Sequence, residues 1–93
     1  MIAAPIQEAI GPLLLELENL GLRVVSAQYS PEHFGNFVVG LSSPRGAVRL
    51  VRDRLQYFVD GDLEAIKAAG MFRVYDDVEA FSEAAAAYAR SIV

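Results

Sequence analysis

Cysteine is absent from the 93 residues, which excludes disulfides, thiolate nucleophiles and thiolate metal sites together. Histidine occurs once, at His33, so neither a multi-histidine metal centre nor a histidine dyad can be assembled. Long apolar runs are missing as well. The longest stretch without a charged residue, 33–44, is shorter than a membrane-spanning helix and rich in turn formers. The opening Met1-Ile2-Ala3-Ala4-Pro5 carries no positive charge, and the apolar stretch behind it is cut by Glu8 and by Gly11-Pro12, which argues against a signal peptide. The expectation from these absences is a cytoplasmic protein with no cofactor, no metal and no membrane partner.

What is present suits a globular chain. Apolar residues make up 54% and charged residues 22%, enough for one small core and too balanced for disorder. At this length one domain over residues 1–93 is expected, because no segment has the composition of a linker. The net charge of −4 is unevenly spread. Residues 1–44 and 55–93 are acidic, whereas 45–54 holds Arg45, Arg49, Arg52 and Arg54 against Asp53 alone. An acidic chain with one basic island makes nucleic acid an improbable partner, since phosphate affinity rests on an extended positive surface.

Periodicity sets out the elements. Ile6, Ile10, Leu13, Leu14, Leu17 and Leu20 recur as the stripe of an amphipathic helix over about residues 5–20. Pro12 predicts a kink or a late start, because it lacks an N–H and crowds the carbonyl of Glu8. Gly21 suits a left-handed stop. Four strands follow, at 22–29, 36–42, 47–52 and 55–59. The 52–54 joint is short enough only for a hairpin, and the other connections also favour a meander. Leu63, Ile66 and Ala69 mark a short helix closed by Gly70, and residues 71–75 a connector. Asp76 with Glu79 has capping-box spacing, ahead of a closing helix that presents Val78, Phe81, Ala85, Tyr88, Ala89 and Ile92. The expected fold is α+β: a four-stranded antiparallel meander with one N-terminal and two C-terminal helices packed on one face.

Motifs with chemistry are scarce. No phosphate loop, nucleophile elbow or zinc-helix pattern occurs. Asp60/Asp62 and Asp76/Asp77 stand at helix starts, where capping accounts for them. His33 lies in the turn-like Pro31-Glu32-His33-Phe34-Gly35, as a loop residue able to make a pH-sensitive contact. The four arginines of 45–54 form the best binding patch by residue type, since the guanidinium fork suits carboxylates and phosphates. The strands do not alternate cleanly: Leu22 and Val24 oppose Val25 and Ala27, Val38 opposes Phe37, Val39 and Leu41, and Phe58 opposes Leu55, Tyr57 and Val59. A sheet with two apolar faces predicts a partner on the face the helices leave open, a homodimer being the simplest.

Three short stretches carry a resemblance: Phe34-Gly35-Asn36 before a strand, Val51-Arg52-Asp53-Arg54 at a hairpin, and Asp76-Asp77-Val78-Glu79 opening a helix. Over about residues 21–79 the chain resembles a loose group of small bacterial proteins, some of them immunity partners of secreted toxins. Those proteins carry glycine after the Arg-Asp-Arg turn, where this chain has Leu55. The resemblance implies a protein that works by binding another protein.

The combined expectation is a non-enzymatic interaction domain, of immunity or regulatory type, that recognises another protein or itself. Arg49, Arg52, Arg54, Phe58 and His33 are the candidate binding residues. Two alternatives stay open: a small-ligand or enzymatic cleft between sheet and helices using His33, Tyr57 or an arginine, and anion or nucleic-acid binding through hairpin 45–54.

Overall fold

A computed structural model describes residues 2–93. The order is α1 (Ala4–Asn19), β1 (Arg23–Ser30), β2 (Asn36–Ser43), β3 (Gly46–Asp53), β4 (Gln56–Gly61), α2 (Leu63–Ala68) and α3 (Val78–Ile92). The strands form one antiparallel sheet in sequence order, so the expected α+β meander is what the chain adopts.

In α1 the apolar stripe Ile6, Ile10, Leu13, Leu14 and Leu17 is buried. Its helical geometry breaks at Ile10 (φ −134°), two residues before Pro12, so the proline bends the helix without ending it. Gly21 (φ 106°) closes α1 while Leu22 N–H bonds Leu17 O and Gly21 N–H bonds Glu18 O, a Schellman motif. The same motif ends α2. Gly70 (φ 74°) turns the chain as Met71 N–H reaches Ile66 O and Gly70 N–H reaches Lys67 O. At α3 the cap is Asp77, which accepts from Glu79 and Ala80 N–H. Asp76, expected in that role, instead accepts from Gln56 Nε2 at 2.9 Å. The cap moves one residue because helical backbone begins only at Val78.

All three helices lie on one sheet face. Phe37, Val39 and Leu41 of β2, Val48 and Leu50 of β3, and Tyr57 and Val59 of β4 are buried there with Ile66 and with Phe81, Ala85, Tyr88 and Ala89 of α3. Phe81 is the hub, with its ring 5.4 Å from Tyr57 and 5.9 Å from Tyr75. Arg90 Nη2 ties α3 to Glu16 of α1 at 2.7 Å. On the opposite face Val38, Val51 and Phe58 form one cross-strand row, half-buried by their neighbours and covered by no helix.

Two strand details depart from the expectation. A bulge between Val24 and Ser26 inserts Val25, so Ala27 pairs with Val39 and shares the core face with Val24 instead of opposing it. Leu55 does not enter β4; it belongs to the β3–β4 turn and is exposed.

Candidate functional site

A meander of four strands places the β1–β2 loop and the β3–β4 turn at the same end of the sheet. Each is a tight turn of unusual composition. In the first, Asn36 N–H bonds His33 O at 3.0 Å, and the two central residues, Phe34 and Gly35, have φ of 57° and 69°. In the second, Asp53 pairs with Gln56 around Arg54 and Leu55, with φ of 53° and 69°. Two central residues at positive φ match the sign pattern of the type I′ turn, whose twist suits antiparallel strands and whose usual occupants are Asn, Asp and Gly. Glycine holds only one of these four places. A side chain with a Cβ in this region costs about 1–2 kcal/mol, so Phe34, Arg54 and Leu55 together store roughly 3 kcal/mol or more.

That strain has no return inside the chain. Phe34 is 72% exposed and Leu55 59% exposed, so neither turn places its bulky side chain in the core. The loops are nevertheless held firmly against each other. Asn36 Nδ2 donates to Asp53 Oδ1 at 3.0 Å, and Asn36 Oδ1 accepts the backbone N–H of Arg54 at 2.9 Å. One amide thus sets the first loop against the second turn, and two exposed apolar side chains are presented from neighbouring loops.

Arg52 lies just behind them. It falls in register with Phe37 and Tyr57, and its guanidinium carbon stands 5.7 Å from the centre of the Tyr57 ring. A side chain at Gly35 would come within 3.8 Å of Arg52 Nη1 and 3.7 Å of the Tyr29 hydroxyl, so the β1–β2 loop passes close over both. Arg52 Nε is buried without a hydrogen-bond partner. The ion pairs among the described residues are Arg49–Asp60 and Arg90–Glu16, with His33 Nδ1 also 3.4 Å from Glu32 Oε1, which leaves both Arg52 and Arg54 with no carboxylate at ion-pair distance.

The basic segment 45–54 therefore does not form one patch. Arg49 projects from the helix-free face and is held by Asp60, its Nη2 at 2.7 Å and its Nε at 3.0 Å from Oδ2. Arg52 has the opposite parity and joins the aromatic row on the helix side, while Arg54 sits in the β3–β4 turn. Arg45 belongs to the β2–β3 turn at the far end of the sheet. Alternation along a strand separates residues three apart onto opposite faces, and four arginines in ten residues are dispersed by it. Phe58 lies on the open face beside Val51. His33 stays with the hairpin end, exposed and 3.4 Å from Glu32. Of the five candidate residues, Arg52, Arg54 and His33 lie toward the hairpin end, and Arg49 and Phe58 stand apart from them. Phe34, Leu55 and Asn36 were not among the candidates. The signal that could have found them was a large apolar residue at a turn position where glycine is normal.

Among the described residues no three His, Asp or Glu side chains converge as metal ligands, and no helix is long and apolar enough to cross a membrane. Compared with protein-family models, with curated proteins and with solved structures, the chain matches none.

Proposed function

We propose that this chain is a protein-interaction domain, of regulatory or immunity type, that grips a partner protein with the hairpin end of its sheet. The observation that carries this reading is the pair Phe34 and Leu55, exposed on strained turns that glycine would occupy at lower cost. Apolar side chains displayed together from tied loops are the anchors of an interface. The unpaired guanidinium groups of Arg52 and Arg54 beside them add a preference for partner carboxylates.

The test is capture from native lysate followed by mass spectrometry, run in parallel with the wild-type chain and with Phe34→Ser/Leu55→Gly. Both substitutions are at exposed positions, so the double variant keeps its circular dichroism and a cooperative thermal melt. A partner retained by the wild type and lost by the folded double variant supports the proposal. Equal recovery by both overturns it.

A second reading, self-association, is favoured by the uncovered row Val38, Val51 and Phe58 on the helix-free face. Multi-angle light scattering at tens of micromolar decides it: a dimer mass that reverts to monomer in Phe58→Lys supports a face-to-face dimer, and a wild-type monomer removes it.

A further inference from the structure

A second surface, independent of the hairpin end, lies along the outer edge of β4. There Tyr57 exchanges both backbone hydrogen bonds with Tyr75, at 2.8 and 2.7 Å, an isolated antiparallel bridge. The pairing does not continue. Moving back along the connector, Arg73 N–H turns to its own segment and bonds Met71 O at 2.9 Å, so the chain leaves the edge after one residue. Backbone groups of successive strand residues point to alternate sides. Tyr57 directs its pair away from β3, so Val59, two residues on, directs its N–H and C=O to the same open side. The departing connector leaves a groove there of about 350 Å³, lined by Phe58, Val59, Leu63, Met71, Phe72 and Val74. Its walls are largely apolar, with Asp60 and Arg73 among them; Phe72 is 65% exposed, while Val59 and Met71 lie buried at its floor.

We propose that this groove is a strand-addition site for an extended segment of a partner protein, alternating apolar side chains and carrying carboxylates. The geometry supplies both requirements of that mode of recognition: at Val59 an outward-directed N–H and C=O that the connector leaves unpaired, and largely apolar walls for every second side chain. Tyr75 shows that the edge accepts antiparallel pairing, since this chain already fills the adjacent position with an isolated bridge. Charge complementarity selects the acid. Lys67 Nζ, 5.1 Å from the Phe72 ring centre, and Arg73, over Tyr75 at 4.6 Å, have no carboxylate at ion-pair distance among the described residues. Of the acidic residues nearby, Asp60 in the groove wall holds Arg49 and Asp62 caps α2, which leaves Glu64 of α2 against the two cations. An incoming segment thus meets unpaired positive charge beside an apolar channel, and a basic segment is disfavoured.

The probe is a displayed random-peptide library selected on the folded wild-type chain, with the recovered peptides synthesised and measured by fluorescence anisotropy. The expected binders alternate apolar and polar residues with period two and contain Asp or Glu. Their affinity falls by roughly tenfold or more on Phe72→Glu, an exposed position that leaves the fold intact, and falls again as salt rises. N-methylation at alternate peptide residues, those facing the edge, weakens binding by roughly tenfold or more, and methylation in the other register does not. Leu55→Gly leaves peptide affinity unchanged, which separates this site from the hairpin end. The proposal is overturned by a library that yields no binder, by binders with helical i, i+3/i+4 spacing, by affinity indifferent to Phe72→Glu, or by equal effects of methylation in both registers. It is overturned equally if the wild-type chain alone buries Phe72 against a second copy in solution, or if only small apolar dyes occupy the groove.

Discussion

Replacing Leu55 by glycine and, separately, by alanine isolates the strain that marks the hairpin end. The two variants differ by one Cβ, and both remove a side chain that is 59% exposed, so the packing lost is nearly the same in each. At an ordinary position glycine is the worse choice by about 0.4–1 kcal/mol, because it gives the unfolded chain more freedom. At φ 69° the alanine Cβ keeps the left-handed penalty of about 1–2 kcal/mol, and glycine has none. The difference reverses the usual order and leaves Leu55→Gly more stable than Leu55→Ala by about 1 kcal/mol, a gap of roughly 4–8 °C in Tm for a domain of this size. Urea titration followed by circular dichroism measures it, provided the slopes of the two transitions agree. Alanine equal to or above glycine would refute the reasoning: the turn would then hold no strain, and Leu55 would need no external explanation. A stabilised Leu55→Gly that also loses its partner would show a binding residue retained at the expense of the fold.

Other outcomes follow from the core and its ionisable groups. Phe81→Ala removes a fully buried ring that touches Tyr57 and Tyr75, and should cost about 3–5 kcal/mol in urea titration; a loss below about 1 kcal/mol would mean that α3 does not seal the core. Burial, with the charge of Asp62 adding to it, raises the Tyr88 hydroxyl above its ordinary pKa. A raised acid pKa means the folded state holds its proton more tightly, so this contribution is complete below the unfolded value of about 10 and is lost as pH climbs through the folded one. Wild-type stability should therefore fall more steeply above about pH 10 than that of Tyr88→Phe, read by urea titration at a series of pH values; parallel profiles would contradict the assignment.

The elements themselves were legible because they rest on local chemistry. The spacing of Ile6, Ile10, Leu13, Leu14 and Leu17 specified a helix face, Gly21 and Gly70 specified its stops and those of α2, and the brevity of the 52–54 joint specified a hairpin. Helix caps were legible only to within a residue, since Asp76 and Asp77 offer the same carboxylate and the backbone decides which one meets the free N–H groups. The binding surface was legible by residue type and not by grouping. Arginine counting found Arg52 and Arg54, but strand parity, which is read correctly only once register and bulges are known, sent Arg49 to the other face and into the grasp of Asp60. The bulge at Val25 likewise moved Ala27 to the core face, because one inserted residue exchanges the two sides of a strand.

By itself, then, the sequence determined the α+β class, the order of the elements and the meander, all consequences of period and turn chemistry. Tertiary structure alone decided what those elements bring together. Phe34 and Leu55 lie 21 positions apart in the sequence and come to the same end of the sheet because a meander returns alternate loops there. The β4 groove exists because the connector pairs at Tyr75 and then departs, and no local pattern encodes where a chain leaves an edge. Positive φ at two bulky residues is a property of turns closed by the strands around them. Such a conformation persists only where the surrounding fold over-determines it, and the fold that does so is assembled from contacts distant in sequence.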